Sequence, residues 1–314
     1  MKIVFFGTPT IAANILDQLI QGGLDIVAVV TKADKPQGRS QKIQPSAVKE
    51  LVTTKYPTID LLQPDKVSTK EYEEILKKYS ADLFIVVAYG EIIKQNILDI
   101  PKKGCINVHA SLLPKYRGAA PIHRVIINGE VETGISIMEM VLALDAGPVL
   151  LDKKIDITPD MTTGELEKKL EGLAVKALFE TLGDYENKFM QRKSQNHDLA
   201  TYAPKITPQE CQINWNRPSI ELHNLIRGVN PFPGAWCDIS FNDGNPPKRL
   251  KIKKSKVLDV ESSKDPGSIL EYSHNSWIVK TQDSALEICE VQLEGKKSSS
   301  SSEFISGYPK PKFL

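Results

Sequence analysis

The chain has 314 residues, with 40 Lys and Arg against 39 Asp and Glu, so its formal net charge is only +1. This balance excludes a polybasic protein that binds nucleic acid through bulk charge, although it is compatible with a local basic patch. No apolar run reaches the ~18 residues that a membrane span requires. Four scattered cysteines without a C-x-x-C pair predict neither a metal site nor a disulfide framework. At ~100–200 residues per domain the length predicts two domains. We expect the protein to be cytoplasmic, monomeric and without membrane partners.

The first half of the sequence alternates short apolar runs with segments of helical periodicity. Strands are predicted at 2–6, 25–31, 81–90, 104–110, 133–140 and 149–157, and a long helix at 163–184. Continuous runs rich in β-branched residues, separated by helices, are typical of a parallel sheet that is covered on both faces. The first domain, residues 1–189, is therefore predicted to be a doubly wound, Rossmann-like α/β domain.

The pattern changes after residue 189. Residues 190–206 are polar and aperiodic, which predicts a linker. Residues 207–314 contain a helical segment at 219–228 and then short strand-like runs at the spacing of a small barrel or sandwich. A serine run at 298–302 indicates a flexible or helix-capping loop. The second domain is therefore predicted to be mostly β.

The strongest candidate site follows the fourth predicted strand. Asn107 and His109 are two residues apart, so both side chains lie on one side of the strand. The carboxyl ends of parallel strands are where open α/β sheets bind ligands, and two adjacent donors there could stabilise a developing oxyanion. A buried pair that only ties the strand to its loop is an equally good interpretation.

Three further observations limit the chemistry. Asp145 lies in a turn that contains Gly and Pro, although position alone does not show that it meets His109. No G-x-S-x-G pattern is present, and Ser111 precedes a proline turn where a loop or capping role is more typical, so direct transfer is favoured over a covalent intermediate. Gly7 alone follows the first strand, with no G-x-G-x-x-G pattern, which argues against NAD.

The run INVHASLLPKYRGAAPI, followed by LDAG, resembles the folate-dependent formyltransferase family, and the similarity extends over essentially the whole chain. The resemblance implies a catalytic domain that moves the formyl group of 10-formyltetrahydrofolate to an amine by direct attack through a tetrahedral intermediate, with no metal and no NAD. It implies Asn107, His109 and Asp145 as catalytic residues. The implied folate-binding residues are Ser111, Leu112, Leu113 and Pro114 in the SLLP segment, with Val87, Tyr89 and Gly90 in VVAYG.

The acceptor is indicated by a basic segment at 31–49, which carries five basic residues against one acid, Asp34. Charge alone favours a solvated loop, but the segment is long beside the ~2–6 residues of a typical βα connection, which indicates a function. It resembles the P-x-G-R loop of family members that act on methionyl-tRNA. The resemblance implies Arg39 as the principal tRNA-binding residue, with Lys42 and Lys35 assisting.

A second basic run, KRLKIKKSK at 248–256, holds six basic residues in nine. An edge strand protected by lysines and a track for phosphates are equally good interpretations of this run by itself. The resemblance favours tRNA contacts by Lys248, Arg249 and Lys251, on a carboxy-terminal barrel similar to an OB fold. It thus implies tetrahydrofolate and initiator methionyl-tRNA as partners, for translation initiation.

Three alternatives stay open from the sequence. The first is a formyltransferase for an amino-sugar nucleotide, against which the Arg39 loop argues. The second is a folate- or RNA-binding protein without turnover, which would have no need of Asn107, His109 and Asp145 together. The third is a hydrolase that releases formate, which would leave the basic segment and the second domain unexplained.

Overall fold

The computed structural model of the protein describes residues 1–37, 42–241 and 243–314. The chain forms two compact units. The first unit contains Met1–Pro121, Thr133–Ile155 and Glu167–Ala203, and the second contains Ile122–Glu132, Asp156–Leu166 and Pro204–Leu314. Two short segments of the predicted first domain, 122–132 and 156–166, are thus built into the second unit.

The elements up to residue 190 are a mixture of strands and helices. In chain order they are β1 (Lys2–Gly7), α1 (Thr10–Gln21), β2 (Asp25–Val30), β3 (Lys35–Gln37), β4 (Lys42–Gln44), α2 (Ala47–Lys55), β5 (Asp60–Leu62), α3 (Lys70–Lys78), β6 (Leu83–Val87), α4 (Gln95–Leu98), β7 (Cys105–His109), α5 (Pro121–Ile127), β8 (Glu132–Glu139), β9 (Val149–Asp156), α6 (Thr163–Gly183) and α7 (Tyr185–Met190). The predicted strands and the long helix are confirmed. The short elements β3, β4, β5, α4 and α7 have too few residues to show a period, so the sequence did not predict them.

Within the described residues, seven strands form one sheet in the order β5-β2-β1-β6-β7-β8-β9. Strands β5, β2, β1, β6 and β7 pair in parallel, whereas β8 runs antiparallel to β7. The fold class predicted for the first domain is confirmed. Because β6 and β7 are parallel neighbours, with Val86 paired to Asn107, their carboxyl ends meet at the same edge of the sheet.

The second unit is built on antiparallel strands. Its later elements are α8 (Ser219–Gly228), β10 (Ala235–Ser240), β11 (Lys248–Leu258), β12 (Ile269–Ser273), β13 (Ser276–Lys280), β14 (Ala285–Leu293), β15 (Ser299–Ser300), α9 (Ser301–Gly307) and β16 (Lys312–Phe313). Among the residues described, the sheet order is β12-β13-β14-β11-β10-β16, with β15 on β14, which makes a nearly closed barrel. Its core packs Trp277 against Phe304 and Phe313. The helix-capping interpretation of the serine run is confirmed, because Ser300 and Glu303 form a capping box at the start of α9.

No helix in the described parts of the chain is long and apolar enough to cross a bilayer.

A charged pair between Arg124 and Glu210 stabilises the second unit. Arg124 Nη1 donates to Glu210 Oε1 at 2.8 Å, and its Nη2 donates to Glu210 Oε2 at 3.2 Å. The hydrogen bond from Arg124, together with the N–H and hydroxyl of Thr207, lowers the pKa of Glu210 to about 2. Charge-assisted bidentate pairs of this kind hold chain segments together more strongly than neutral hydrogen bonds.

Glu210→Gln is therefore expected to lower the free energy of unfolding near neutral pH by about 1 kcal/mol or less, since the carboxylate is partly exposed and screened by solvent. The folded pKa lies below the ordinary value of 4.5, so this contribution is present above that pH and is lost as the pH falls toward about 2. Urea unfolding of wild type and variant at neutral and acidic pH measures both effects. Glu221→Gln, which removes an exposed carboxylate paired with Arg217, is the control and should change little. Equal stability of wild type and Glu210→Gln at neutral pH would contradict the prediction.

Candidate active site

Two of the predicted catalytic side chains lie on β7 where it reaches the carboxyl edge of the sheet. Asn107 and His109 are on the same side of the strand; His109 is buried and Asn107 is partly exposed. The side-chain amide of Asn107 has no hydrogen-bond partner among the described residues. Its two N–H donors are therefore available to a ligand at the end of the strand.

His109 and Asp145 meet, which the sequence alone could not decide. Nε2 of His109 lies 2.9 Å from the carbonyl oxygen of Tyr116, and because a carbonyl only accepts, Nε2 carries a proton. Nδ1 faces Oδ2 of Asp145 at 3.6 Å. The same Oδ2 accepts the N–H of Gly118 at 2.8 Å. Nδ1 is thus the ring nitrogen left to exchange a proton, and a carboxylate lies beside it.

The backbone is strained around these groups. Ala88, Tyr116 and Asp145 have φ values of 45°, 60° and 47°, in the left-handed region that non-glycine residues seldom adopt. Ala88 directly follows β6, and the other two contact His109. Residues held in this region cost about 1–3 kcal/mol each and persist where surrounding contacts impose the conformation, which is common at functional sites.

The SLLP segment divides into buried and accessible residues. Ser111 is fully buried and its hydroxyl donates to the carbonyl of Lys115 at 2.6 Å, while Leu113 packs against buried neighbours. Leu112 and Pro114 are partly exposed. The predicted wall of a folate site would therefore be formed by Leu112 and Pro114, with Ser111 and Leu113 shaping the loop from behind.

A polar cluster around the buried Ser136 supports that loop. The hydroxyl oxygen of Ser136 accepts the N–H of Leu113 at 3.1 Å and lies 2.9 Å from the carbonyl oxygen of Ser111. It is also 2.5 Å from Oδ1 of Asp152. Partial desolvation of its carboxylate raises the pKa of Asp152, although the residue as a whole is exposed, and the hydrogen bond from Ser136 offsets this rise only in part. The loop is thus held by hydrogen bonds on its inner side.

Of the three residues at and after the end of β6 that the resemblance implies, the structure exposes only Gly90. Val87 and Tyr89 are buried, and the Tyr89 ring packs edge-to-face on Phe6. Ala88 and Gly90 are exposed, and Gly90 has a φ of 80°. A contact of Val87 or Tyr89 with a ligand would therefore go through the main chain, whereas Ala88 and Gly90 face solvent directly.

Arg117 and Gln195 are buried polar residues of the first unit that the sequence analysis missed. The Arg117 guanidinium donates from Nε and Nη2 to Oε1 of Gln195, at 3.1 and 2.6 Å. Gln195 lies in the polar segment that was predicted to be a linker, where nothing in the pattern distinguishes it. Only the fold brings Gln195 to the site, where its side-chain amide donates to the main-chain carbonyl of Asp145.

The structure divides the described basic residues of 31–49 into those that bind other groups of the protein and those that are exposed, which the sequence could not do. Lys49 pairs with Asp34 at 2.7 Å, and Lys32 donates to the carbonyl of Gly90. Lys35 is exposed at the start of the β3–β4 hairpin. Arg39 lies outside the described residues, and for Lys42 only its place in β4 is described.

The second basic run occupies β11. This strand lies between β10 and β14 in the described sheet, so its interpretation as an edge strand is wrong. Lys248 is exposed, and the guanidinium of Arg249 stacks 3.7 Å from the centre of the Trp236 ring. Nζ of Lys251 donates to the carbonyl of Pro233 at 2.7 Å. All three remain candidates for nucleic-acid contact, with Lys248 the least engaged in internal contacts.

Comparison with known proteins agrees with this architecture. A model of the formyl transferase family matches residues 1–182, and a model of the formyl transferase C-terminal domain matches residues 205–309. The fold and the two family matches together define the class of protein, which is a two-domain formyltransferase. The chain is 49% identical to the methionyl-tRNA formyltransferase of Protochlamydia amoebophila over 310 residues, covering 99% of this chain and 96% of that one. It is 43% identical to the methionyl-tRNA formyltransferase of Chlamydia pneumoniae over 314 residues, covering 99% and 97%. This chain belongs to the formyl transferase family, and within it to the methionyl-tRNA formyltransferases.

Solved structures share the fold at lower identity. An N-formyltransferase from Helicobacter canadensis, in complex with folinic acid and dTDP-3-aminofucose, has a TM-score of 0.66 at 21% identity, covering 92% of this chain and 98% of that one. HypX from Aquifex aeolicus with tetrahydrofolic acid has a TM-score of 0.65 at 15% identity; this chain, covered completely, spans 50% of that one. In the described residues, no group of three or more His, Cys, Asp or Glu side chains could hold a metal ion.

Proposed function

We propose that this protein transfers the formyl group of 10-formyltetrahydrofolate to the amino group of initiator methionyl-tRNA, in cytoplasmic translation initiation and as a monomer. The observation that carries the proposal is the amide of Asn107, which has no hydrogen-bond partner among the described residues and lies beside the His109–Asp145 pair. The full-length similarity to methionyl-tRNA formyltransferases supports the choice of acceptor. The exposed backbone at Gly90, with Leu112 and Pro114, would bind the folate donor.

When bound, the folate donor supplies the formyl group. The chain's own residues would stabilise the developing negative charge and transfer the proton. The free amide N–H of Asn107 would donate to the formyl oxygen as negative charge develops on it. The attacking α-amine has an ordinary pKa of about 8, which the adjacent ester lowers further, so it is largely neutral at cellular pH.

In this reaction a bond forms between the amine nitrogen and the formyl carbon, and the bond from that carbon to the folate nitrogen breaks. The proton lost by the amine must reach the folate nitrogen. Nδ1 of His109 and the Asp145 carboxylate would move it, since Nε2 is engaged by Tyr116.

The decisive assay offers three acceptors in parallel with 10-formyltetrahydrofolate: charged initiator methionyl-tRNA, free methionine and an amino-sugar nucleotide. Formylmethionine that appears only with the tRNA is the expected result. A formylated sugar would contradict the acceptor, and formate released without any acceptor would identify a hydrolase.

For the tRNA we propose Lys35, Arg39 and Lys42 in the first domain, residues 1–189, and Lys248, Arg249 and Lys251 in a tRNA-binding domain at 207–314, joined by residues 190–206. Arginine forks onto phosphates and base edges, whereas lysines supply salt-sensitive contacts to the backbone. The exposed position of Lys35 and of Lys248 is compatible with such contacts.

Arg39→Ala is expected to raise the KM for tRNA about tenfold, because one good contact is worth about 1–3 kcal/mol, and to leave kcat at saturating tRNA nearly unchanged. Steady-state kinetics at two salt concentrations measures this and the reduced salt dependence. Lys78→Ala, which removes an exposed charge on α3, is the matched control and should leave both parameters unchanged. An unaltered KM in Arg39→Ala would refute the role of this residue.

A further inference from the structure

The buried side-chain amide of Gln195 uses its entire hydrogen-bonding capacity. Oε1 accepts from Nε and Nη2 of Arg117 at 3.1 and 2.6 Å. Nε2 donates to the main-chain carbonyls of Asp145 at 2.9 Å and Gly147 at 2.7 Å. An amide has two donor hydrogens and two acceptor lone pairs, so every position is occupied. A fully satisfied buried group holds its neighbours in one geometry.

The loop that Gln195 binds is constrained from its other side by β8. A Cβ atom at Gly147 would lie 1.8 Å from the carbonyl oxygen of Glu139, so the loop backbone packs directly on the end of that strand. The N–H of Glu139 donates to the carbonyl of Pro148 at 2.9 Å. Asp145 itself has the unfavourable φ of 47°. Its conformation therefore depends on contacts such as those from Gln195.

Gln195 also reaches the segment that contacts His109. The Tyr116 carbonyl accepts from Nε2 of His109, and the Gly118 N–H donates to the Asp145 carboxylate. Arg117 lies between these two residues, with its guanidinium on Gln195. One amide thus joins the main chain of Asp145 to the segment that contacts both side chains of the His–Asp pair.

We propose that Gln195 is a positioning residue, which joins Arg117 to the main chain at Asp145 and Gly147 and so holds the Asp145 carboxylate against His109. The proposal rests on the catalytic roles proposed above for His109 and Asp145, and Gln195 itself touches no reacting atom. Glutamate at this position would keep an acceptor for Arg117. It would lose both donors and face two carbonyl oxygens with a negative charge.

Two variants separate the two ends of the amide. Gln195→Met keeps a side chain of similar length but removes all four hydrogen bonds. Gln195→Glu keeps the acceptor for Arg117 and removes only the two donors. Both are expected to lower kcat about 10- to 100-fold, the effect of a small misplacement of a catalytic group, with the KM values for tRNA and folate near those of wild type. Gln191→Met, an exposed position nearby, is the control. A Gln195→Glu variant with wild-type kcat would overturn the proposal.

A double-mutant cycle tests whether Gln195 acts through Asp145. In an Asp145→Asn background, Gln195→Met should lower kcat by less than about twofold further, because residues that act through one group are not additive. A full multiplicative loss would overturn the proposal.

The NMR signals of the His109 imidazole give a readout that needs no turnover. They should move in Gln195→Met toward their positions in Asp145→Asn, and unmoved signals would contradict the proposal. A wild-type protein that forms no formylated product would instead contradict the proposed function, and the NMR readout would still decide the role of Gln195.

Discussion

Asn107→Ala is expected to lower kcat about 10²- to 10³-fold, the loss observed when one oxyanion donor is removed from an active site. The physical reason is that the Asn107 amide has no hydrogen-bond partner in the described protein and lies at the end of β7 beside His109. Such a donor is fully available to the formyl oxygen when charge develops there. For the same reason its removal leaves no protein group unsatisfied, so the melting temperature should change little. Single-turnover kinetics with saturating tRNA and folate measures the chemical step directly.

The control for this variant is Asn187→Ala, which removes an exposed asparagine of the same unit whose side chain donates to Asp184. Its kcat should equal that of wild type. If Asn107→Ala kept wild-type kcat, the amide would have no part in the chemical step. A large loss of stability in Asn107→Ala would show instead that the residue is structural, which was the other interpretation of the Asn107–His109 pair.

Asp145→Asn is expected to lower kcat about 10²- to 10⁴-fold, the range for removing a general acid–base group. The amide oxygen of the new asparagine can still accept the Gly118 N–H, so the loop keeps that hydrogen bond. What is lost is the negative charge that faces Nδ1 of His109 at 3.6 Å. Measured kcat should therefore fall while the KM for tRNA stays near the wild-type value.

Asp156→Asn is the matched control, because this aspartate is exposed at the end of β9. It should not change kcat. An Asp145→Asn enzyme with high kcat would mean that His109 moves the proton without its carboxylate. A parallel rise in KM without loss of kcat would place Asp145 in substrate binding alone.

Features determined by neighbours along the chain were predictable from the sequence. Asn107 and His109 share a face because a strand has a period of two residues, and the apolar runs at β1, β2, β6 and β7 predicted a parallel sheet. The capping role of the serine run depends on Ser300 and Glu303, three residues apart. The family motif then implied Asp145 as the third catalytic residue, although the pattern alone did not show where its carboxylate points.

The sequence by itself thus determined the two kinds of domain, the strand that carries the site and the residue types present there, because periodicity and local spacing are encoded over a few residues. Only the tertiary structure decided which groups meet. His109 meets a carboxylate 36 positions away, and Gln195 reaches the same loop from a segment without any distinguishing pattern. The tertiary structure also decided that Lys49 forms an ion pair with Asp34, and that β11 is an interior strand of the described sheet. These contacts join residues distant in sequence, so their geometry depends on how the whole sheet and its loops pack.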